Sequence, residues 1–258
     1  MAKLLEFEGV SFIYHSLENE TPALDNITFG MEREEFVAIV GPSGSGKTTI
    51  LSLLAGLLEP SSGSIKIDGK PIKEMRGKAS LMPQRDQLFE WRSIIRNVTL
   101  GLEITRTNTA ENKEYALSLL KKYGLGEFIK KRPSELSGGM RQRAALIRTL
   151  VTSPEILLLD EPFSALDFQT RLNVCNDVYS IIKEEKKTAV FVTHDISEAI
   201  SMADKIIILT ERPANIKGII NIDLNKNLTP LERREEPNFA GYFKTIWDEL
   251  EAHNDRRT

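Results

Sequence analysis

The sequence predicts an α/β fold in which helices cover a mostly parallel sheet, and three features support this prediction. Short and almost wholly apolar segments at 36–40, 156–159 and 188–192 are typical of strands that are buried on both faces of such a sheet. A glycine-rich turn and a helical pattern follow the first of these strands. From 93 to 102, and again from 110 to 123, the periodicity is helical rather than strand-like. We therefore expect a sheet-based core that is interrupted by an inserted helical unit.

The glycine-rich turn spans 41–49 and reads GPSGSGKTT, which matches the pattern G-x-x-x-x-G-K-[ST] at every fixed position. Its glycines allow consecutive backbone N–H groups to converge on phosphate oxygens at the start of a helix. Lys47 adds a positive charge for the β- and γ-phosphates, and Thr48 offers a hydroxyl to the Mg²⁺ that accompanies a nucleotide. The predicted nucleotide-binding residues are Gly41, Pro42, Ser43, Gly44, Ser45, Gly46, Lys47, Thr48 and Thr49.

Two carboxylates, Asp160 and Glu161, directly follow the strand at 156–159. Adjacent carboxylates at the end of a buried strand are costly to bury unless a cation or a proton is bound there. Beside a phosphate loop, Asp160 would hold Mg²⁺ and Glu161 would polarise the attacking water. His194 follows the strand at 188–192, and ligands of open α/β sheets collect at this edge. We therefore expect all three side chains to lie near the bound phosphates.

Three further positions carry polar or aromatic groups at places where a nucleotide could be contacted. Ser137 precedes Gly138 and Gly139 at the start of a helical pattern, where it is a good N-cap and the glycine N–H groups can face an anion. Gln84 follows the short strand pattern that ends at residue 82. Tyr14, upstream of the phosphate loop, either packs against its own neighbours or stacks on the nucleotide base.

Composition restricts the partners and the compartment of the chain. It has 258 residues and a formal net charge of -3, which gives no general attraction to nucleic acid or to anionic lipid. No apolar run approaches the length of a membrane span, and the start of the sequence lacks the pattern of a signal peptide. Cys175 is the single cysteine, which excludes an internal disulfide framework and indicates a reducing compartment. We expect a cytoplasmic protein without nucleic acid as a partner.

Strand patterns at 4–12, 23–29 and 218–224 complete the predicted sheets. The segment 168–186 predicts a long helix, and 238–251 predicts another with an apolar stripe on one side. The stripe consists of Phe239, Tyr242, Phe243, Ile246, Trp247 and Leu250. This last helix either packs on its own domain or binds a partner, and the sequence leaves both interpretations open.

The assembled motifs resemble those of the ATP-binding cassette family, and the match covers nearly all of the chain. The 41–49 loop is similar to the family's Walker A loop, and Tyr14 lies where its adenine-stacking aromatic residue is found. The segment 136–140 resembles its LSGGQ signature, with Met140 in place of the commonest glutamine. Gln84 resembles the Q-loop glutamine, and Asp160 with Glu161 resembles the end of the Walker B strand. The segment Ser164–Asp167 resembles the D-loop, and His194 resembles the switch histidine.

This resemblance implies a phosphate-loop NTPase core with an N-terminal antiparallel β subdomain and an inserted helical subdomain. It implies ATP and Mg²⁺ as the bound species, with Thr48, Gln84 and Asp160 near the metal. The implied catalytic residues are Glu161, His194, Gln84 and Lys47. The domain boundaries that we predict are 1–88 with 154–224 for the core, 89–153 for the helical subdomain and 225–258 for a helical tail.

The resemblance also implies a dimer in which two cassettes meet head to tail around the nucleotide. Ser137, Gly138 and Gly139 of one copy would then complete the phosphate site of the other, with the D-loop residues Ser164 and Asp167 beside it. Glu161 would act as the general base and His194 would hold the γ-phosphate.

Transport across a membrane is what the family implies for such a subunit. Integral membrane permease subunits would dock near the segment from Gln84 to Ile95, at the cytoplasmic face of the cell membrane. An extracytoplasmic solute-binding protein would be an indirect partner. The compact insert and the segment 209–213 are similar to importer ATPases of the nitrate, sulfonate and taurine group.

The alternative is a cassette ATPase that acts on nucleic acid or the ribosome. Those relatives carry a long coiled-coil insertion or two fused cassettes, and this sequence has neither. A phosphate-loop kinase or switch GTPase would leave 137–139 and His194 without a role. The Asn-Lys-x-Asp motif of GTPases is also absent from the sequence.

Overall fold

The structure, a computed structural model, describes residues 3–16, 19–75 and 77–251. Within these residues it places ten strands in two sheets, with nine α-helices around them. The strands are β1 (Leu5–His15), β2 (Glu20–Met31), β3 (Phe36–Val40), β4 (Ser62–Ile67), β5 (Lys70–Pro71), β6 (Ala79–Met82), β7 (Ile156–Asp160), β8 (Thr188–Val192), β9 (Lys205–Leu209) and β10 (Ile216–Asn221). The helices are α1 (Lys47–Leu54), α2 (Ile94–Val98), α3 (Leu100–Ile104), α4 (Ala110–Lys122), α5 (Gly138–Leu150), α6 (Phe168–Glu184), α7 (Ile196–Met202), α8 (Pro230–Arg233) and α9 (Phe239–Glu251).

The larger sheet has the strand order β10-β9-β3-β8-β7-β6, and only β10 runs antiparallel to its neighbour. Side chains of β3 alternate between two hydrophobic cores, with Phe36 and Ala38 in one and Val37 and Ile39 in the other. Because both faces are covered, the strand is apolar at every position. The prediction of a mostly parallel sheet is confirmed.

The smaller sheet is antiparallel, in the order β2-β1-β4-β5, and it packs with α1 over one face of the larger sheet. Strand β2 begins at Glu20, whereas the predicted strand begins at residue 23, so that boundary is wrong. The extra residues are exposed or partly exposed and lie at the outer end of a hairpin, where Thr21 pairs with Tyr14. An exposed strand end does not need apolar side chains, so the hydrophobic pattern begins only at residue 23 and does not reveal the first residues of β2.

The chain between β6 and β7 contains helices and no strand in the described residues, as predicted for the insert. Helix α5 packs on α6 of the core and on α2 and α4 of the insert. Leu119 of α4 and Ala144 of α5 belong to the same hydrophobic cluster as Leu157 of β7. The insert therefore shares a continuous core with the sheet, and its boundaries at 89 and 153 stay a prediction.

Some elements in the last third of the chain have bounds that differ from the prediction. Strand β10 occupies Ile216–Asn221 instead of 218–224, and α6 ends at Glu184 instead of residue 186. Helix α9 packs on α7 and β9, with Ile246 fully buried. Packing on its own domain is thus the confirmed interpretation of this helix, while residues 252–258 of the predicted tail lie outside the described residues.

The short helix α8, which we did not predict, is held by a buried arginine. Arg233 is 1% exposed, and its guanidinium donates hydrogen bonds to the Asn225 and Ser201 carbonyls and to the Tyr179 hydroxyl. The guanidinium also lies 5.0 Å from the Tyr179 ring centroid. These contacts attach the segment before α9 to α6 and α7.

Replacing Arg233 with Ala is expected to lower the free energy of unfolding by roughly 3 kcal/mol, because it leaves a cavity and buried acceptors without donors. Urea unfolding of the purified chain measures the change. The matched control is Arg234→Ala at the next position, whose side chain is partly exposed. If both variants lost the same stability, contacts other than the Arg233 guanidinium would hold this segment.

Candidate active site

The phosphate loop lies at one end of the larger sheet and borders a cleft of about 660 Å³. Gly46 has φ 85°, and a Cβ atom there would come within 2.7 Å of the Leu24 side chain, so only glycine fits. The residues that line the cleft are Tyr14, Thr21, Gly41, Ser43, Gly44, Ser45, Gly46, Lys47, Thr48, Thr49, Glu161, His194 and Arg212. The structure thus brings together most of the residues that the sequence predicted.

Lys47 is held by the loop itself. Its Nζ atom donates to the carbonyl oxygens of Gly41 at 2.9 Å and Pro42 at 2.8 Å, and the residue is 8% exposed. Burial lowers the pKa of this ammonium, although the charges of Glu161 and Asp160 oppose the shift. A desolvated ammonium at the wall of the cleft is well placed to pair with a phosphate anion.

Thr48 and Asp160 form the candidate metal position. The Thr48 hydroxyl donates to Asp160 Oδ1 at 3.4 Å. Burial raises the pKa of Asp160, and the neighbouring Glu161 charge raises it further. A divalent cation would stabilise the ionised carboxylate, and a hydroxyl with one carboxylate matches the few protein oxygens that Mg²⁺ takes beside phosphates. These residues therefore fit Mg²⁺.

Glu161 is the centre of a polar group at the same edge of the sheet. Gln84 Nε2 donates to Glu161 Oε2 at 3.1 Å and to Ser164 Oγ at 3.1 Å. His194 Nδ1 lies 3.4 Å from the same carboxylate oxygen. The Glu161 backbone has φ 43°, in the left-handed region. Its N–H donates to the Val192 carbonyl at 3.0 Å, which ties this carboxylate to the end of β8.

Beside the phosphate loop, the cleft contains one aromatic residue that we predicted and two further residues that we did not. The Tyr14 hydroxyl is 3.0 Å from Thr49 Oγ1, so the ring is fixed beside the phosphate-loop helix while 40% of the residue stays exposed. Thr21 and Arg212 also line the cleft and were not predicted as site residues. Thr21 is part of the hairpin extension. Arg212 follows β9 within the segment 209–213, whose similarity to importer ATPases did not indicate a position at the nucleotide cleft.

The signature residues lie elsewhere in the chain. Ser137 and Gly138 line a second cleft of about 530 Å³, together with Gln84 and Asp167, and this cleft shares no lining residue with the first. The Ser137 hydroxyl accepts the Met140 N–H and caps α5, as predicted. One chain therefore does not bring its signature residues into its own phosphate-loop cleft.

Gly139 has a role in packing that the sequence did not reveal. A Cβ atom at this position would come within 2.8 Å of the Val174 side chain on α6. The absence of a side chain at Gly139 thus lets α5 approach α6 closely. This packing role is separate from the anion-binding role that we predicted for its backbone N–H.

Comparison with known proteins identifies the family. A family model described as "ABC transporter" matches residues 24–164, which is more than half of the chain. This chain belongs to the ABC transporter family. It therefore binds and hydrolyses ATP, with Mg²⁺ as the metal partner of the nucleotide.

Two relatives and one solved structure extend this match along the chain. An uncharacterized ABC transporter ATP-binding protein of Bacillus subtilis is 49% identical over 96% of this chain and 96% of the relative. A taurine import ATP-binding protein of Rhizobium johnstonii is 36% identical over 89% of this chain and 88% of the relative. The solved structure is that of a dimeric ATP-binding cassette in a post-hydrolysis state bound to ADP and Pi. Its match to this chain has a TM-score of 0.72 and 30% sequence identity, and it covers 84% of this chain and 98% of the solved chain.

The described residues contain no helix that combines the length and the apolar character needed to cross a bilayer.

Proposed function

We propose that this chain is the ATPase subunit of an importer and that two copies close around ATP to drive uptake through separate membrane subunits. The observation that carries the proposal is the separation of the phosphate loop and the signature into two clefts. Each cleft alone offers half of a phosphate-binding site. A head-to-tail, two-fold dimer would place the Ser137 cleft of one copy over the Lys47 cleft of the other.

Within each composite site we assign roles from chemistry and position. The phosphate loop and Lys47 bind the β- and γ-phosphates, while Tyr14 provides a face for the adenine ring. Thr48 and Asp160, with Gln84 nearby, would hold Mg²⁺, which would supply positive charge to neutralise the charge that develops on the phosphate oxygens. Glu161 accepts a proton from the attacking water, and His194 positions the γ-phosphate.

ATP drives the cycle because it binds the closed dimer more tightly than the separate subunits. A hundredfold preference for the closed form corresponds to about 2.7 kcal/mol of differential binding free energy. Ser137, Gly138 and Gly139 supply that difference, since they meet the γ-phosphate only after closure. Ser164 and Asp167 of the D-loop lie beside the junction. Hydrolysis removes the γ-phosphate contact and reopens the dimer.

The permease docks on the segment from Gln84 to Ile95 in this proposal. Trp91 is 72% exposed and its ring lies 4.7 Å from that of Phe89, so this segment presents aromatic surface. Gln84, at the start of the same segment, contacts Glu161. Docking at one end of the segment could thereby affect hydrolysis at the other. The chain would work at the cytoplasmic face of the membrane, with a solute-binding protein as an indirect partner.

The solute class that we propose is a small anionic or organic solute of the nitrate, sulfonate and taurine type. Support comes from the taurine import relative, which matches this chain along most of its length. Copurification from native membranes would identify the permease and the binding protein, and uptake assays with the recovered complex would test this solute class.

Ser137→Ala tests the shared site. We expect kcat for ATP hydrolysis to fall about tenfold or more, because a phosphate contact is lost in the closed dimer. The affinity of the separate monomer for ATP should stay unchanged. Steady-state phosphate release and nucleotide titration measure the two quantities.

Thr109→Ala is the matched control for this substitution. Thr109 caps α4 of the same insert through the same kind of hydrogen bond, from Asn112 N–H. Both changes remove a helix cap, which costs about 1 kcal/mol, but only Ser137 faces the proposed junction. A Ser137→Ala variant that loses monomer affinity and keeps kcat would refute the shared site.

A further inference from the structure

Arg171, in the first part of α6, contacts two loops that approach the nucleotide cleft. Its guanidinium donates to the Leu166 carbonyl at 3.2 Å, within the D-loop. It also lies 3.8 Å from Asp195 Oδ2 and 3.9 Å from Glu198 Oε1, on the segment that follows β8. The side chain is 25% exposed. One side chain therefore connects the D-loop with the segment that carries His194.

That segment fixes the position of His194 through its neighbours. The Thr193 hydroxyl donates to Glu198 Oε2 at 2.6 Å and accepts the Asp195 N–H at 3.0 Å. Asp195 caps α7 by accepting the Ser197 and Glu198 N–H groups. His194 itself is exposed, and its Nδ1 atom lies 3.4 Å from Glu161 Oε2. The placement of this imidazole thus follows from the backbone on either side of it.

The contact between Arg171 and Glu198 is incomplete in the single chain. The Arg171 Nε atom is buried and has no hydrogen-bond partner among the described residues. Glu198 Oε1, its nearest carboxylate oxygen, is too distant for a hydrogen bond at 3.9 Å, and Glu198 is 4% exposed. A buried donor without an acceptor destabilises the arrangement that contains it, because its lost hydration is not replaced. A movement of about 1 Å between α6 and the Glu198 segment would remove that destabilisation.

We propose that Arg171 is a positioning residue that couples the D-loop to His194 during closure of the dimer. When dimer closure moves the D-loop toward the second copy, the Arg171 guanidinium moves closer to the carboxylates of Glu198 and Asp195. The segment from Thr193 to Asp195 moves with these contacts and places His194 beside the γ-phosphate. This inference rests on the proposed function, because the second copy supplies the movement. It assigns to Arg171 an effect on turnover that is separate from nucleotide binding, since Arg171 does not line the phosphate-loop cleft.

Arg171→Met tests the coupling. We expect kcat to fall about tenfold or more, because a small misplacement of a positioning group can cost up to a hundredfold. The affinity of the monomer for ATP should change less than twofold. Arg143→Met is the matched control, because Arg143 is 28% exposed and forms a similarly long ion pair, 3.7 Å from Asp177 on α6, away from the His194 segment. This control should keep its kcat.

NMR of the histidine side chains separates coupling from a general structural effect. The chain has only three histidines, so the His194 imidazole signals are readily assigned by substitution. In a Glu161→Gln background, Mg²⁺ and ATP should form the dimer and shift the His194 signals. Adding Arg171→Met should leave the dimer intact while the signals stay near their nucleotide-free positions. Arg171→Lys keeps the charge in case Met prevents folding, and it should give an intermediate kcat.

The outcomes distinguish this inference from the proposed function. If His194→Ala hydrolyses ATP at the wild-type rate, the assigned role of His194 fails and the inference fails with it. If His194→Ala lowers kcat but the Arg171 variants keep the wild-type kcat and the wild-type signal shift, only the inference is overturned. A loss of ATP affinity equal to the loss of kcat would also overturn it, by showing that Arg171 supports the fold of the site.

Discussion

Replacing Glu161 with Gln is expected to lower kcat for ATP hydrolysis about a thousandfold, in line with the contribution of a well-placed general base. The amide cannot take a proton from water, yet it has nearly the shape of the carboxylate and can still accept the hydrogen bond from Gln84. ATP binding should therefore remain, and the ATP-bound dimer should persist. Phosphate release measures the loss of turnover, and size-exclusion chromatography with Mg²⁺ and ATP measures the dimer.

Glu155→Gln is the matched control, because this carboxylate lies just before the other end of β7. Its side chain is 23% exposed against 24% for Glu161, and it forms ion pairs with Arg33 and Lys78. The same chemical change at similar burial should leave kcat unchanged. Wild-type turnover in Glu161→Gln would refute the assignment of the base, and an ATP-loaded variant that stays monomeric even with its permease would refute the composite site.

The sequence predicted those residues of the site whose positions depend on the local order of residues along the chain and on the topology of the sheet. The phosphate loop is continuous in the chain, so its conformation follows from its own glycines and the strand before it. Glu161 and His194 each follow a parallel strand, and the carboxyl ends of such strands meet at one edge. Their separation of 3.4 Å agrees with the expectation that they share this edge.

Other residues of the cleft depend on distant contacts that leave no periodic signal. Arg212 follows β9 and reaches the cleft although more than half of the chain separates it from Tyr14. Thr21 lines the cleft because β2 extends along β1 to the end of the hairpin. Arg171 is similar, since its environment is created only when the start of α6 approaches the segment that follows β8. Neither polarity nor spacing in the sequence distinguishes these side chains from ordinary surface residues.

The same limit applies to residues whose importance lies in packing. Gly139 was predicted from the chemistry of anion binding, yet its close approach to Val174 is sufficient to require glycine. Arg233 is fully buried in a helix that is too short to show a pattern. In both cases the sequence shows which residue type is present. The residue type is explained by a neighbouring side chain that becomes a neighbour only in the folded structure.

Lys47→Ala is expected to raise the Kd for ATP about a hundredfold or more, because charge-assisted contacts to the β- and γ-phosphates are each worth about 1.5–3 kcal/mol. Burial lowers the pKa of this ammonium, and the anionic charge of a bound triphosphate would favour its protonated form. Titration of the monomer with ATP measures the change. Unfolding temperature should change little without nucleotide, since the carbonyl acceptors of Lys47 are partly exposed.

Lys205→Ala provides the control for the loss of a lysine that is largely removed from solvent. Lys205 is 19% exposed, pairs with Glu35 at 2.7 Å and donates to the Gly30 carbonyl, but it begins β9 and does not line the nucleotide cleft. Its removal should lower stability and leave the Kd for ATP unchanged. Wild-type affinity in Lys47→Ala would contradict the phosphate-loop role, whereas equal losses of affinity in both variants would mean that the loss follows from weakened folding and not from the missing phosphate contact.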